Sequence, residues 1–488
     1  MGRVYIIGTG PGDEELLTVK AVETLKKCTA VLYDRLVSNN ILNYVSDKCK
    51  IYYCGKEPGS HYKTQEEINE SLVKLAKKGH VVGRIKGGDP YVFGRGGEEV
   101  LALKENSIDY EVIPGITSPI AVLNYAGIPI THRGIAQSFH VVTGMSSKGL
   151  NINFEALSKE TGTLVFMMGF AKLEFIKENL VKNGKDINTP AAVIMRGTCS
   201  KQKKVVGTLK NICEKVKKSQ IKSPCIIVIG DVVKLNEKLN WYEEKPLFGK
   251  NICITRSKSQ STNLKANLKE LGAEVTPFYS IDIKSTENNL DLYRDKLNSY
   301  DHIIFTSTNS VNIFFDYLKK NKYDVRQIKA KISCVGKATS NALNDRGIYS
   351  FAIAREFTGE NLFEVLKDDI KEDEKIMLPL SSLSKENLYN NLKSVCKNVD
   401  RVFIYDTVCG SVKDTRPFEE VDIIFFTSPS TVKNMIEIVG IEKIREKECI
   451  AIGPITNDAL KEVGIKARVC KKHSEEGFLN EIIDFAKL

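Results

Sequence analysis

Three short stretches of this 488-residue chain concentrate glycine where a backbone must come close to something. They are Gly8-Thr9-Gly10-Pro11-Gly12-Asp13, then Lys86-Gly87-Gly88-Asp89-Pro90 running on through Phe93-Gly94-Arg95-Gly96-Gly97-Glu98-Glu99, and Ile113-Pro114-Gly115-Ile116-Thr117-Ser118. Glycine turns the chain tightly and lets a ligand reach main-chain amides, yet inside regular structure it costs about 1 kcal/mol relative to alanine. Five glycines within eleven residues of the second stretch therefore need a reason, and a bound ligand supplies one. Thr117 and Ser118 add hydroxyls and amides at a helix start. The first stretch is neither a Walker A loop, since Gly-Lys-Ser/Thr is missing, nor a full G-x-G-x-x-G. A dinucleotide reading would set Asp34 on a ribose. A plain strand-to-helix turn accounts for this stretch equally well.

The C-terminal half offers hydroxyls instead of glycines: Thr255-Arg256-Ser257, Thr306-Ser307-Thr308, Thr339-Ser340, Thr427-Ser428 and Thr456. Each follows an apolar run, and turns after parallel strands gather at one sheet edge, where ligands bind. Helix N-capping explains about half of such hydroxyls. There is no nucleophile elbow or P-loop. The twelve cysteines and six histidines are dispersed, so no metal site is expected, and the thiols read as free in a reducing compartment.

The elements that position these residues alternate. Short apolar runs end in turns and lead into helical patterns, which predicts an α/β protein with mainly parallel sheets. The alternation stops at residues 231–249, a polar stretch holding the only tryptophan, Trp241. Beyond it an echo appears. Phe305-Thr306-Ser307 resembles Phe426-Thr427-Ser428, and Val335-Gly336-Lys337-Ala338-Thr339 resembles Ile452-Gly453-Pro454-Ile455-Thr456, with Leu343 and Gly347 matching Leu460 and Gly464. Two similar lobes with a cleft between them follow. The expected division is residues 1–235, a linker at 236–249, and 250–488. The last splits into one lobe of 250–283 plus 404–488 and another of 286–401.

Composition narrows the partners. With 42% apolar and 27% charged residues the chain is an ordinary globular protein. A net charge of +10 favours anionic partners, nucleic acid or a small polycarboxylate, and equally describes a lysine-rich solvated surface. No basic tract with interleaved aromatics marks a nucleic-acid track. No apolar run approaches the length of about 18 residues that spans a membrane, and residues 4–7 are too short for a signal core, so a cytoplasmic protein without membrane or nucleic-acid partners is expected.

The three glycine stretches, in this order, resemble the tetrapyrrole methylase family, in particular its uroporphyrinogen-III C-methyltransferase branch. The resemblance covers about residues 4–233. It includes Tyr33-Asp34-Arg35-Leu36-Val37-Ser38, Gln65-Glu66-Glu67-Ile68-Asn69, Tyr125-Ala126-Gly127-Ile128-Pro129-Ile130-Thr131-His132-Arg133, Met167-Met168-Gly169 and Arg196-Gly197-Thr198. It implies a two-subdomain fold that binds S-adenosylmethionine between the subdomains, through Pro11, Gly87, Gly88, Asp89, Val92, Thr117, Ser118, Met168 and Gly197. It implies base and acid roles for Asp34 and Lys56, and a homodimer. Arg84, Arg95, Arg133 and Lys56 would pair with substrate carboxylates; each arginine is as readily an ordinary ion pair, and Asp89 a turn cap. The chain departs from the family at Gly55-Lys56-Glu57, where Gly-Lys-Arg is usual.

From about residue 247 the chain resembles uroporphyrinogen-III synthase. The resemblance rests on Ile254-Thr255-Arg256, residues 305–311, Val335-Gly336-Lys337-Ala338-Thr339, Val402-Phe403-Ile404-Tyr405-Asp406-Thr407, Phe426-Thr427-Ser428 and Ile452-Gly453-Pro454-Ile455-Thr456. It implies a two-lobed fold that closes hydroxymethylbilane with inversion of ring D. Tyr405 would assist loss of the leaving group, and Arg256, Thr306, Ser307, Thr339, Thr427, Ser428 and Thr456 would bind substrate. Tyr405 is also readable as a buried strand tyrosine. Leu380-Ser381-Ser382 stands where many members carry arginine-glycine. The expectation is a bifunctional enzyme that makes uroporphyrinogen III and methylates it twice to precorrin-2. The alternatives are a methyltransferase with a non-catalytic tetrapyrrole-sensing domain and a nucleic-acid or protein methylase of the same fold.

Overall fold

Every strand of the first sheet runs into one of the turns named above. In a computed structural model, which describes residues 2–55, 64–145, 152–354, 359–412 and 414–486, β1 (Arg3–Gly8), β2 (Ala30–Tyr33), β3 (Lys50–Tyr53), β4 (Val81–Lys86) and β5 (Asp109–Ile113) form a parallel sheet. Its order is β3-β2-β4-β1-β5. Helices cover both faces, so strand residues such as Val4, Ile6 and Ile7 lie wholly inside, as the unbroken apolar runs require. Strand order reverses at the β1–β4 pair, whose register sets Gly8 beside Lys86. Open parallel sheets take ligands at such a reversal.

The second sheet contains β6 (Phe139–Thr143), β7 (Thr163–Met167), β8 (Pro190–Met195), β9 (Lys203–Thr208) and β10 (Cys225–Ile229), ordered β6-β7-β10-β8-β9. It is mixed rather than mainly parallel, because β10 inserts antiparallel to both β7 and β8, and β9 is antiparallel to β8. That insertion makes β7 and β8 run the same way. Their ends, Met167 and Met195, share an edge, which brings Met168 and Gly197 to one side.

Residues 236–249 are bolted down rather than a free linker. Asn236–Leu239 is a short helix, Trp241 and Tyr242 pack edge-on against Tyr125 (5.1 and 4.7 Å), and Trp241 Nε1 donates to the Asn124 carbonyl at 3.1 Å.

The C-terminal half holds two more sheets. Its strands are β11 (Asn251–Ile254), β12 (Glu274–Pro277), β13 (Ile281–Ser285), β14 (His302–Phe305), β15 (Lys331–Cys334), β16 (Lys375–Ser381), β17 (Asn398–Cys409), β18 (Ile423–Phe426), β19 (Glu448–Ala451) and β20 (Arg468–Val469). The orders are β12-β11-β18-β19-β20 and β13-β17-β16-β14-β15. The chain passes between lobes near residues 278–280 and 410, not at the expected 283–286 and 401–404. The reason is that β13 pairs antiparallel with the last five residues of β17, so both strands belong to the second lobe as one ribbon.

The internal echo becomes geometry. Ser307 and Ser428 each cap a helix, accepting from the amides of Ser310 and Thr431. Gly347 and Gly464 follow the helices Lys337–Asn344 and Pro454–Glu462 at φ 74° and 73°. There the amides of Ile348 and Ile465 return to the carbonyls of Leu343 and Leu460. Only glycine takes this left-handed position freely.

Candidate active sites

The glycine loops meet backbone to backbone. A Cβ on Gly8 would lie 2.6 Å from the Gly115 nitrogen and 2.8 Å from the Gly88 oxygen, so no side chain fits between the three loops. Gly10 and Gly88 exchange two main-chain hydrogen bonds (3.2 and 2.7 Å). Asp89 secures the rest: Oδ1 accepts from the Tyr91 amide at 2.8 Å and Oδ2 from the Gly115 amide at 3.1 Å. The turn-capping reading of Asp89 therefore holds. Thr117 stands at the N-cap of the helix Ser118–Tyr125, but its hydroxyl does not cap it.

The second sheet closes the cradle. Thr198 Oγ1 accepts from the Asp13 amide (3.2 Å), and a Cβ on Gly197 would run into Val122. Strain concentrates here. Among the described residues seven non-glycines have positive φ, and five of them, Phe93, Arg95, Met168, Arg196 and Thr198, lie in the segments that leave β4, β7 and β8. Such conformations cost of order 1–3 kcal/mol each and persist where surrounding structure enforces them. Leu36, Tyr91, Phe93 and Met168 remain exposed beside the loops, Leu36 lying against Gly87. Backbone amides, open hydroxyls and exposed apolar side chains on one edge fit a nucleoside-like ligand with an apolar neighbour. Pro11 and Val92 lie half-buried in the same loops.

Asp34 follows β2 and is held by Arg84, whose Nη2 donates to Asp34 Oδ2 at 3.1 Å. Arg84 is 3% exposed and also donates to Glu99 Oε1 (2.9 Å) and to the Ile85 carbonyl. Arg84 is thus an internal support, not a partner for substrate carboxylates. Lys86 joins the same Glu99 oxygen at 3.0 Å. Burial first, and then the Arg84 charge, pull the Lys86 ammonium below the usual lysine value. Two cations thus balance two carboxylates under the glycine loops, an arrangement in which removing any one partner strands a buried charge. Arg95 pairs with Glu98, while Arg133 and His132 are exposed. Lys56 lies outside the described residues.

The C-terminal half grips this site from behind, always through the lobe of the third sheet. Lys269 pairs with Asp13 (3.0 Å) and Glu14 (3.1 Å), and Lys265 with Glu14 (2.6 Å), the Glu14 side chain being 2% exposed. Arg196 makes two bonds to Glu420 (2.8 and 2.6 Å), Ser200 two to Glu274, and Lys201 one to Asp422. The loops that carry Pro11 and Gly197 are therefore clamped from outside their own domain.

The second candidate site divides between lobes. Tyr405 lies in β17, 6% exposed, and its hydroxyl is 2.9 Å from Ser307 Oγ. Burial raises its phenol above the ordinary value, and hydrogen bonds with Ser307, Ser381 and Asn309 offset this in part. A register shift at Leu380/Ser381 sets Ser381 opposite Tyr405. Such bulges re-aim side chains. Tyr405 is thus a buried strand tyrosine whose hydroxyl meets Ser307. Ser381, at the point of departure from the family pattern, was not foreseen as a site residue. Thr306 and Ser307 sit on this lobe, and Thr339 is buried in its helix. Arg256, Thr427, Ser428 and Thr456 sit on the other lobe. Arg256 is already paired with Glu475, and Ser428 is committed to its cap. Among the described residues no side-chain hydrogen bond or ion pair joins the two sets.

All twelve cysteines are free thiols. Among the described residues there is no group of three or more His, Cys, Asp or Glu able to hold a metal, and no helix long and apolar enough to cross a membrane.

Comparison with known proteins accounts for both halves. Residues 3–213 match the model of the Tetrapyrrole (Corrin/Porphyrin) Methylases, and residues 262–480 that of Uroporphyrinogen-III synthase HemD. The chain is 36% identical over 99% of its length, and 98% of the relative's, to the Porphyrin biosynthesis protein HemD of Ruminiclostridium josui. It is 42% identical to a Uroporphyrinogen-III C-methyltransferase of Bacillus subtilis, covering 72% of this chain and 73% of that one. A crystal structure of Uroporphyrin-III C-methyl transferase from Thermus thermophilus complexed with S-adenyl homocysteine is 38% identical, with 48% of this chain and all of that one covered, at a TM-score of 0.42. The chain belongs to the porphyrin-biosynthesis family of its full-length relative and carries a tetrapyrrole methylase unit followed by a uroporphyrinogen-III synthase unit.

Proposed function

We propose that the N-terminal half transfers two methyl groups from S-adenosylmethionine to two pyrrole carbons of uroporphyrinogen III, giving precorrin-2, and that the C-terminal half makes that substrate by closing hydroxymethylbilane with inversion of ring D. The observation that carries the first part is the clustering of strained, non-glycine backbone around Gly88, Gly115 and Gly197. S-adenosylmethionine, when bound, supplies a methyl group already activated on sulfonium. The chain's own task is alignment and charge. Main-chain amides of the glycine loops and the hydroxyls of Thr117 and Ser118 orient the donor, with Pro11, Val92 and Met168 packed around it. The Asp34 carboxylate, anchored by Arg84, stabilises positive charge on the attacked pyrrole and accepts the departing proton on a free lone pair.

For the second part, Tyr405 carries the argument. A phenol whose pKa is raised stays protonated and donates toward a departing hydroxyl, while Ser307 and Ser381 hold its direction. The lobes then restrict how the reactive bilane folds. The exposed Val19, Leu101 and Met145 of the N-terminal half offer apolar surface for the homodimer we propose.

Purified chain with fresh hydroxymethylbilane, with and without S-adenosylmethionine, tests both parts. Isomer III alone, and a dimethylated product once the donor is added, are expected. Isomer I alone, with added uroporphyrinogen III still methylated, would instead favour a tetrapyrrole-sensing C-terminal half.

A further inference from the structure

Tyr33 is the last residue of β2 and immediately precedes Asp34. Its ring is 2% exposed, and its phenol points out of its own domain. Both partners of that phenol come from the C-terminal half: Tyr33 donates to Asp414 Oδ2 at 3.1 Å and accepts from Arg416 Nη2. Burial, and then the neighbouring Asp414 charge, push the phenol upward, so it remains the donor in this pair. The same guanidinium lies 4.0 Å from the centroid of Tyr53, the last residue of β3. Tyr33 and Tyr53 meet edge-on at 5.2 Å, and the Cys54 amide donates to the Tyr33 carbonyl at 2.7 Å. A Cβ on Gly55 would touch both the Tyr53 hydroxyl and the Arg35 amide. One side chain from the C-terminal half thus holds the carboxyl ends of two adjacent strands of the methylase sheet, where the chain turns into Asp34 and Gly55.

Arg416 is itself fixed. Its Nε bonds both oxygens of Asp414 (2.9 and 3.0 Å), its Nη2 bonds Oδ2 (2.7 Å), and its backbone amide donates to Oδ1 (3.0 Å). Asp414 is 12% exposed. A guanidinium that forks onto a carboxylate and stacks on an aromatic face is a geometry lysine does not reproduce. The clamps from Lys269, Lys265 and Glu420 hold the loops of Asp13 and Arg196 by their outer side chains, whereas Arg416 reaches the strand end that presents Asp34.

We propose that Arg416, seated by Asp414, is a positioning residue for methyl transfer: it acts through Tyr33 and Tyr53 to aim the Asp34 carboxylate, which makes the synthase half part of the methylase site's support. The inference rests on the methyl transfer proposed above. The test uses the full chain with Arg416→Ala, Arg416→Lys and Tyr33→Phe. With added uroporphyrinogen III, Arg416→Ala should lower the kcat of methylation about 10-fold or more, since small misplacements cost that much. The KM for S-adenosylmethionine should stay within about twofold, because the glycine cradle is untouched. Cyclisation of hydroxymethylbilane should be unchanged, which also reports intact folding. Arg416→Lys should recover only part of the loss. Arg416→Ala with Tyr33→Phe should be no worse than the larger single effect, as for residues acting in one chain of contacts. A parallel loss of both activities, an unchanged kcat, or additive single effects would each overturn the proposal. Hydrogen exchange gives a readout independent of activity: the Cys54 amide should exchange about 10-fold faster in Arg416→Ala, and unaltered protection would overturn the proposal as well. Absence of methylation by the unsubstituted chain would instead sink the assignment of the N-terminal half.

Discussion

In the N-terminal half Gly8, Gly88 and Gly115 touch backbone to backbone, with strained residues around them and clamps from another domain behind them. In the C-terminal half the corresponding turns are closed by their own side chains, Ser307 capping one helix and Ser428 another, and the site residues are split between two sheets. The first site is preassembled, with no room for an added atom at Gly8 or Gly115. The second consists of self-sufficient turns whose relation depends on how the lobes stand. Main-chain close packing should therefore fail sharply, and side-chain capping gradually.

The sharpest test of that contrast is Gly115→Ala. The new methyl would collide with the Gly88 oxygen and with Gly8, none of which is a flexible side chain. Methylation should fall at least about 100-fold while cyclisation continues, measured on the same preparation with the two substrates supplied separately. Equal loss of both activities would mean that the cradle is a folding element rather than a site. Next in size is Lys269→Ala. It leaves Asp13 without that pairing and Glu14 with Lys265 alone, in a largely buried junction. Breaking a buried pair costs about 3–5 kcal/mol, so the urea midpoint should drop clearly. A shift of a few tenths would show that the junction is wet in solution.

On the other side of the comparison, Tyr405→Phe keeps the packed ring and removes only the hydroxyl that meets Ser307. Cyclisation should fall about 10-fold, the worth of one well-placed hydrogen bond, and methylation should not change. Ser428→Ala should cost about 1 kcal/mol of stability as a lost cap and little activity. Ser307→Ala loses an equivalent cap and Tyr405's partner too, so its cyclisation rate should drop further than that of Ser428→Ala. Equal rates would detach Tyr405 from the chemistry.

Much of the first site was legible because its signals are local. Glycines, hydroxyls and the strand ends that carry them lie within a few residues of one another, and the echo of Leu343/Gly347 in Leu460/Gly464 states two helix ends outright. The charge support was not legible. Arg84 reads either as a partner for substrate carboxylates or as an ordinary ion pair, and only the fold brings Glu99 and Asp34 to it. The lobe boundary was misplaced because β13 and β17 are far apart in sequence, and no periodicity announces that they pair. Ser381 was noticed as a departure but not as a site residue, since only the register shift turns it toward Tyr405. Arg416 and Tyr33 lie 383 residues apart, and each alone is an unremarkable polar side chain.

The junction between the halves should also answer to pH, with the smallest effect. Burial works against the charged form of Asp414, but the bonds from Arg416 outweigh it and hold the carboxyl below its ordinary value of 3.8. A carboxylate depressed in the folded state contributes stability that is complete above the unfolded value and is lost as pH falls through the folded one. Protection of the Cys54 amide should therefore stay flat from neutrality down to about pH 4, once the intrinsic exchange rate is divided out, and decline below it. Asp414→Asn should abolish that acid dependence and lower protection a few-fold at neutral pH, because an amide cannot hold the guanidinium as a charged pair does. If the acid limb survives the substitution, some carboxylate other than Asp414 governs the junction.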